Sequence, residues 1–276
     1  MRLLLNVLAV SCGLLTGLVC LLIAQNTTFA QTAIVLKKTR EAIFVGADSK
    51  VTDPAGGGEL DKEEKIIQLA PNRYVAVAGI TGYAGDPSAP SFDTYALAKA
   101  CAETSPFNDR NMREMVDRCT KDIARNILLS LRAYKEREPK IYQSRLVGKP
   151  IQFAFFGHEG GSLVLYSREF RPPPEISGRE VSDPPIRASN CEGTCIGHTT
   201  YGWHDNIDAA LAKDPANWGT DIPLTICRLI QLEIKAHPSE VGWPVKVLRI
   251  NKDGSIERLS FQRACENKSR SPKRRG

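Results

Sequence analysis

Apolar and polar positions alternate along this chain in blocks, and the blocks predict strands and helices in a regular order. Two β-rich apolar runs come first, Thr32–Lys38 and Ala42–Asp48, and the short polar segment Thr39–Glu41 between them is typical of a hairpin turn. A Gly-rich loop follows. Two further apolar runs, Lys65–Leu69 and Tyr74–Ala78, flank a Pro-Asn turn. We expect these four runs to form one four-strand antiparallel unit.

Apolar residues at helical spacing then predict two helices, Phe92–Glu103 and a longer one that ends near Arg137. Asp93 lies near the start of the first helix, where a carboxylate interacts favourably with the helix dipole. Asn108 or Asp109 is suited to cap the second helix. Its stripe of Met, Leu and Ile is typical of core packing.

The second half of the chain repeats this alternation. Its patterns predict strands at Ile151–Phe156, Ser162–Ser167, Gly193–Thr199, Val245–Ile250 and Ile256–Phe261. They predict helices at Asn206–Lys213 and Pro223–Ala236, and an irregular surface segment at the proline-rich Phe170–Pro185. The order of strands, two helices, strands, two helices and strands predicts an α+β layered domain.

Length and charge narrow the class of protein further. The chain has 276 residues, of which the part after the leader fits one large domain or two small ones. The formal net charge is +6, and much of the excess lies in the run Lys268–Arg275. A basic terminal run is usually a solvated end, so we interpret 263–276 as a disordered tail and expect no nucleic-acid partner.

The first thirty residues have the pattern of a secretory signal peptide. Arg2 precedes a nearly continuous apolar run, Leu3–Ala24, and the small residues Thr28 and Ala30 favour cleavage after Ala30. Residues 1–30 therefore predict an exported protein, secreted or periplasmic. The apolar run is also long enough to span a bilayer, so retention as a membrane anchor by residues 3–24 is the alternative.

Six cysteines remain after the leader, and an even number in an exported chain permits disulfides in any of fifteen connectivities. They are Cys101, Cys119, Cys191, Cys195, Cys227 and Cys265. The spacing of Cys191 and Cys195 suits two metal ligands, but no second pair of ligands accompanies them. We favour a disulfide or an unreactive thiol there, and we expect neither a metal site nor a cofactor.

Four short motifs resemble the N-terminal-nucleophile hydrolases, and among them the proteasome β-type subunits. The motifs are T-x-I-V at Thr32–Val35, G-A-D-S-K at Gly46–Lys50, E-K-I-I at Glu64–Ile67 and V-A-G at Val77–Gly79. The spacing from Thr32 to Asp48 is that of the family. The spacing from Thr32 to Lys65 is one residue longer than in the family. The resemblance extends more loosely over 32–262. It implies a four-layer αββα sandwich of two stacked antiparallel sheets.

The resemblance also implies a reaction and its residues. Thr32, once it is the N-terminal residue, would be both nucleophile and base, because its own α-amine can take the hydroxyl proton. Lys65 would favour the neutral form of that amine, and Asp48 would orient Lys65 and keep it charged. The N–H of Gly79 would stabilise the oxyanion. The expected reaction is hydrolysis of a peptide or amide substrate, in a possible homo-oligomer. A catalytically silent structural or binding subunit is the alternative.

Two features depart from the family's pattern. Gln31 stands where the family has glycine before the nucleophile, and cleavage after Ala30 would leave Gln31 at the N-terminus. In the C-terminal half, His198 aligns with a supporting serine, and His237 and Glu240 with an Asp/Ser pair. Any of these residues alone is ordinary. The hypothesis depends on Thr32, Asp48, Lys65 and Gly79 occurring together in their structural context.

Overall fold

The structure is a computed structural model, and it describes residues 32–52, 59–60, 65–80, 82, 91–104, 112–188, 192–215, 218–262 and 265. Several predictions concern residues outside this part of the chain. They are the signal peptide or anchor at 1–30, the Gly-rich loop Ala55–Gly58, the helix caps Asn108 and Asp109, and the basic tail at 263–276 apart from Cys265. Within the described residues, no helix is both long and apolar enough to cross a membrane.

Two five-stranded antiparallel sheets form the centre of the fold. The strands of sheet I are β1 (Ala33–Lys38), β2 (Ala42–Asp48), β10 (Gly197–Gly202), β11 (Val245–Asn251) and β12 (Ile256–Phe261). Those of sheet II are β5 (Ile66–Ala70), β6 (Arg73–Gly79), β7 (Ile151–Glu159), β8 (Ser162–Phe170) and β9 (Ile186–Ala188). Sheet I has the strand order β10-β1-β2-β11-β12, and sheet II has the order β5-β6-β7-β8-β9. A separate two-residue ladder joins β3 (Val51–Thr52) and β4 (Glu59–Leu60).

The predicted hairpin of the first two strands is confirmed. β1 pairs antiparallel with β2, with Ile34 opposite Ala47 and Lys38 opposite Ile43. Thr39 closes the turn, since its hydroxyl donates to the carbonyl of Ala42 at 3.0 Å. The alternation of side chains along each strand then gives sheet I one face toward sheet II and one toward helices.

Helices cover the outer face of each sheet, which confirms the four-layer αββα sandwich. Helices α1 (Thr94–Thr104) and α2 (Met112–Arg137) pack on sheet II, and α5 (Asp205–Lys213) and α6 (Ile222–Ala236) pack on sheet I. The layer between the sheets is built from side chains of both, including Ile34, Val45, Ile66, Tyr74, Ala154, Phe156 and Leu248. The described residues also form three short helical segments: α3 (Pro139–Ile141), a π-helical turn (Tyr142–Leu146) and α4 (Gly178–Ser182).

Local sequence signals explain where several helices begin. The carboxylate of Asp93, which the sequence placed near the start of this helix, accepts hydrogen bonds from the backbone N–H groups of Tyr95 and Ala96. Asp221 caps α6 in the same way, accepting from the N–H of Leu224 at 3.0 Å. Ser177 forms a capping box with Glu180 at the start of α4, inside the segment predicted to be irregular.

The prediction of one four-strand unit from the first four runs was wrong. β1 and β2 belong to sheet I, whereas β5 and β6 belong to sheet II. Local patterns identify strands but not their partners. Both pairs are antiparallel hairpins, and each finds its other neighbours far along the chain, β2 in β11 and β6 in β7.

Candidate active site

Thr32 is buried at the start of β1, beside the loop that leaves β10. Only 1% of its surface is exposed. Its carbonyl oxygen accepts a hydrogen bond from the backbone N–H of Trp203 at 3.0 Å. Its hydroxyl oxygen has no hydrogen-bond partner among the described residues. A buried hydroxyl without a partner costs free energy of folding, so this group calls for a functional explanation.

Asp48 is fully buried at the end of β2, where several backbone N–H groups converge on its carboxylate. Oδ1 accepts from the N–H of Ala33 at 3.0 Å, and Oδ2 accepts from those of Lys50 and Gly242, each at 3.2 Å. The first contact follows from the β1–β2 register, which places Asp48 beside Ala33. The carboxylate therefore fixes the backbone immediately after Thr32.

Lys65 completes the site from the other sheet. Its ammonium group lies 3.1 Å from both carboxylate oxygens of Asp48, and its side chain is 2% exposed. Lys65 directly precedes β5, so this ion pair joins the end of a sheet I strand to the beginning of a sheet II strand. Oδ1 of Asp48 accepts from Lys65 and from Ala33 together, which brings the ammonium next to the Thr32–Ala33 peptide.

Burial and hydrogen bonding act in opposite directions on this carboxylate. Burial raises the pKa of the Asp48 carboxyl, while the Lys65 ammonium and the N–H groups of Ala33 and Gly242 act to lower the pKa. A buried ion pair of this kind is seldom a large net source of stability, because both charges are removed from water. The pair is therefore expected to contribute little net stability to the fold.

Gly79 ends β6 on the sheet II side of the site. Its φ of +93° lies in the left-handed region, and a Cβ there would stand 2.0 Å from the carbonyl oxygen of Pro150. Only glycine fits this backbone without strain. The preceding residue, Ala78, reaches the neighbourhood of Thr32, since a Cβ added at Gly202 would contact both Ala78 and the Thr32 carbonyl oxygen.

Trp203 and His237 form a stacked pair next to Thr32. Their ring centroids are 3.9 Å apart with an interplanar angle of 18°. The imidazole lies between two carboxylates, 3.7 Å from Glu233 and 3.9 Å from Glu240. The indole N–H of Trp203 is buried and has no acceptor among the described residues. His237 thus contacts Trp203, and Glu240 lies beside His237. No sequence pattern distinguished Trp203.

His198 lies away from these groups. It pairs with Lys37 on β1, four positions along β10 from Gly202, and its ring packs against Trp218 at a centroid distance of 5.4 Å. Partial burial lowers the pKa of the His198 imidazole, and the Lys37 ammonium lowers the pKa further. The structure does not bring His198 together with Thr32.

The cysteines in the described part of the chain are oxidised. Cys101 is bonded to Cys119 between α1 and α2, and Cys227 on α6 is bonded to Cys265. Cys195 is also disulfide-bonded. The described residues contain no group of three or more side chains placed to hold a metal ion. Cys191 lies outside the described residues.

Gly202, Trp203 and Gly242 are the site residues that the sequence did not reveal. They come from the β10 exit and from the segment after α6, which lie about 170 and 210 positions after Thr32 in a chain of 276 residues. A glycine at a strand end and a backbone N–H donor carry no distinctive sequence signal. Only the pairing of β10 with β1 and of β11 with β2 brings them to Thr32 and Asp48.

No protein-family model and no curated protein matches the chain. Solved structures of similar fold include an Anbu Gly-1 mutant from Hyphomicrobium sp. strain MC1, at 15% identity and a TM-score of 0.46 over 84% of this chain and 87% of that one. They also include Anbu, the ancestral beta-subunit, from Yersinia bercovieri, at 13% identity and a TM-score of 0.47 over 83% of this chain and 87% of that one.

The identification of the chain with the proteasome β-type subunits was therefore wrong. The similar structures given above are Anbu proteins, which form a distinct proteasome-related family. The motifs that suggested the β-type subunits are short, and no single one of them is specific. At this identity the likeness concerns the fold alone.

Proposed function

We propose that this chain is an exported hydrolase that cleaves peptide or amide bonds with Thr32 as an N-terminal nucleophile. The observation that carries the proposal is the arrangement at Asp48. One oxygen of its buried carboxylate accepts both the Lys65 ammonium and the N–H of Ala33, directly after a buried Thr32 whose hydroxyl has no partner among the described residues.

In the proposed enzyme the base is the α-amine of Thr32 itself. An α-amine has an ordinary pKa near ~8, below that of a lysine side chain. The neighbouring Lys65 ammonium favours the neutral amine by like-charge repulsion, and Asp48 holds that ammonium in position. The amine is then able to accept the proton of the Thr32 hydroxyl at neutral pH.

The proposed reaction has two halves. The Thr32 oxygen attacks the substrate carbonyl carbon, its proton passes to the α-amine, and the amine returns a proton to the leaving nitrogen as the C–N bond breaks. An ester on Thr32 remains. Water then attacks the ester, which releases the carboxylic acid and restores the hydroxyl. The N–H of Gly79 is the proposed donor to the oxyanion in both halves.

Export and maturation belong to the same proposal. The disulfides Cys101–Cys119 and Cys227–Cys265 support an oxidising compartment, because such bonds are rare in reducing cytosol. Catalysis by the α-amine further requires a chain that begins at Thr32. Signal cleavage after Ala30 leaves Gln31 in front, so a second cut at the Gln31–Thr32 bond is needed, by autolysis or by a trimming peptidase.

The test begins with the N-terminus of the protein purified from its native compartment, read by intact mass and N-terminal sequencing. We expect the chain to begin at Thr32. A β-lactone probe should then add its whole mass to the protein as an ester on Thr32, whatever the natural substrate. Fluorogenic peptide amides with varied acyl residues measure turnover.

Two substitutions at Thr32 separate chemistry from folding. Thr32→Val keeps the shape of the side chain and removes only a hydroxyl without a partner among the described residues, so stability should change by about 1 kcal/mol or less. Labelling and turnover should vanish. Thr32→Ser keeps a hydroxyl and should retain labelling. A mature chain that keeps Gln31, or full turnover in Thr32→Val, would leave the silent structural or binding protein as the better hypothesis.

A further inference from the structure

A small pocket lies between the two sheets, where β10 of sheet I passes over β8 of sheet II. Its volume is about 90 Å³. Gly197, Thr199 and Tyr201 line it from β10, and Leu165 and Ser167 line it from β8. The four predicted catalytic residues are not among the described lining residues, so the pocket is separate from the candidate active site.

Lys38 enters this pocket from the end of β1. Strand alternation places it on the same face as Ile34 and Leu36, which contribute to the layer between the sheets. Only 2% of the residue is exposed. Its ammonium group donates to the carbonyl oxygen of Cys195 at 3.0 Å. An ammonium has three N–H donors, so two of them have no acceptor among the described residues.

The Lys38 ammonium has no carboxylate partner in the described part of the chain. The described lining residues of the pocket include neither Asp nor Glu. Burial lowers the pKa of the Lys38 amine, whereas a carboxylate beside it would raise that pKa. Glu192 is engaged elsewhere, because it accepts from the backbone N–H of Ser167 at 3.2 Å and pairs with Arg168. A buried cation without a counter-charge is costly, so the pocket favours an anion.

Three hydroxyl groups form a hydrogen-bonded chain in the wall of the pocket. The hydroxyl of Tyr201 is hydrogen-bonded to that of Ser167 on β8 and to that of Thr199 on β10. These groups carry three hydrogens, and the two contacts use two of them. Within the described residues, one hydroxyl hydrogen therefore remains for a ligand, and unused lone pairs on the same oxygens can accept a hydrogen bond.

We propose that this pocket binds a small inorganic oxyanion of the phosphate type, held by the Lys38 ammonium and by the hydroxyl chain of Ser167, Tyr201 and Thr199. Phosphate carries both acceptor oxygens and hydroxyl groups, so it can accept from the ammonium and exchange hydrogen bonds with the hydroxyl chain. The volume of about 90 Å³ corresponds to roughly three water molecules. That is more space than a monatomic ion fills and too little for a nucleotide.

Binding is measured by isothermal titration of phosphate into the purified protein, with sodium chloride keeping the ionic strength constant so that a general effect of salt is excluded. We expect saturable binding with a dissociation constant of about 1 mM or lower. NMR shift perturbation should locate the ion at the amides of Ser167, Gly197 and Thr199. Phenyl phosphate should bind at least tenfold more weakly, because the pocket has no room for its ring.

Two adjacent lysines provide a matched pair of variants. Lys38→Met should weaken phosphate binding at least tenfold, because it removes the buried ammonium. Lys37→Met removes the same charge one residue away and should bind phosphate as the parent does. Lys37 lies on the outer face of sheet I, where its ammonium is 4.8 Å from the ring centroid of Trp218. Phosphate should raise the Tm of the parent and of Lys37→Met, and leave that of Lys38→Met unchanged.

Several results would overturn this site. They are the absence of saturable phosphate binding below about 10 mM, equal weakening by the two lysine variants, and perturbed amides confined to residues outside the pocket. Equal affinity for phenyl phosphate would overturn the assignment to a free inorganic ion. Thr32→Val should bind phosphate as the parent does, so the site is tested independently of the proposed hydrolysis.

Discussion

Gly202 lies so close to Thr32 that a Cβ at this position would stand 1.6 Å from the Thr32 carbonyl oxygen. The contact follows from the pairing of β10 with β1, in which Gly202 is opposite Ala33. The next residue, Trp203, donates its backbone N–H to the same carbonyl. The exit of β10 therefore sets the position of the candidate nucleophile.

Gly202→Ala should displace Thr32 and abolish its labelling by a β-lactone. The added methyl group cannot be accommodated, because the atom that it meets is backbone and the φ of +73° is already unfavourable for alanine. We expect a loss of stability above about 2 kcal/mol together with the loss of labelling. Denaturant unfolding and intact mass after labelling provide the two measurements.

Gly161→Ala is the matched control. Gly161 has a similar φ of +79°, but a Cβ there meets nothing within 4 Å. The substitution should lower the free energy of unfolding by about 1 kcal/mol, which is the strain of alanine in the left-handed conformation. Labelling of Thr32 should be unchanged. Equal effects of the two substitutions would mean that contact with the Thr32 carbonyl is unimportant.

Lys65→Met should destabilise the protein as well as stop turnover. Asp48 is fully buried, so the loss of its cation leaves an uncompensated charge and should cost about 3–5 kcal/mol. The double variant Asp48→Asn/Lys65→Met removes both charges and should recover much of that stability without recovering turnover. Urea unfolding measures the first effect. If Lys65→Met were as stable as the parent, the ion pair would not be the buried contact described above.

Lys252→Met serves as the comparison for that experiment. Lys252 lies in the exposed β11–β12 turn, so its substitution should change the free energy of unfolding by no more than about 0.5 kcal/mol. If both lysine variants lost similar stability, the cause would be the loss of a positive charge in general. The contact between Lys65 and Asp48 would then not explain the effect.

His198 should titrate below the ordinary histidine value near ~6.5, because burial and the Lys37 ammonium both disfavour its charged form. NMR titration of the imidazole protons measures this pKa. Lys37→Gln should raise it, whereas Lys252→Gln should not. A pKa above the ordinary value would show that Asp208, which acts in the opposite direction, dominates.

The sign of the effect on stability follows from that shift. A histidine whose folded pKa is lowered binds its proton more weakly in the folded state than in the unfolded chain. Such a histidine does not affect the free energy of unfolding at a pH above its unfolded pKa. It lowers that free energy increasingly as the pH falls below its unfolded pKa. His198→Gln should therefore reduce the loss of stability between about pH 7 and pH 5, as measured by urea unfolding at each pH.

The Cys227–Cys265 disulfide should stabilise the protein by about 3–4 kcal/mol, since it closes a segment of 38 residues. The variant Cys227→Ala/Cys265→Ala should lose that amount in denaturant unfolding under non-reducing conditions. Peptide mapping without reduction should recover the two cysteines in one linked pair. Alkylation of either thiol in the untreated protein would contradict the pairing.

Much of the layered fold is predictable from the sequence because its elements carry local signals. The β1–β2 hairpin, the long helix α2 and the last hairpin β11–β12 all have clear periodicity and turns. The partnership of strands has no such signal, so β5 and β6 were assigned to the wrong sheet. The π-helical turn Tyr142–Leu146 likewise depends on tertiary contacts, including the hydrogen bond from the Tyr142 hydroxyl to Pro173.

The candidate site was also only partly predictable from the sequence. Thr32, Asp48 and Lys65 lie within 34 residues of one another, and their motifs predicted that carboxylate and ammonium would meet. The contributions of Gly202, Trp203 and Gly242 are a glycine backbone and two N–H donors. These groups can be recognised as part of the site only in the folded sheet, because their side chains carry no signal of contact with Thr32 or Asp48.

The ion pair between Asp48 and Lys65 spans the two sheets, and this has a consequence for when the site forms during synthesis. A chain that has folded only its first hairpin holds a carboxylate without its ammonium. The N–H of Gly242 arrives later still, from a segment near the C-terminal end. The complete set of partners around Asp48 therefore forms only after nearly all of the domain has been synthesised.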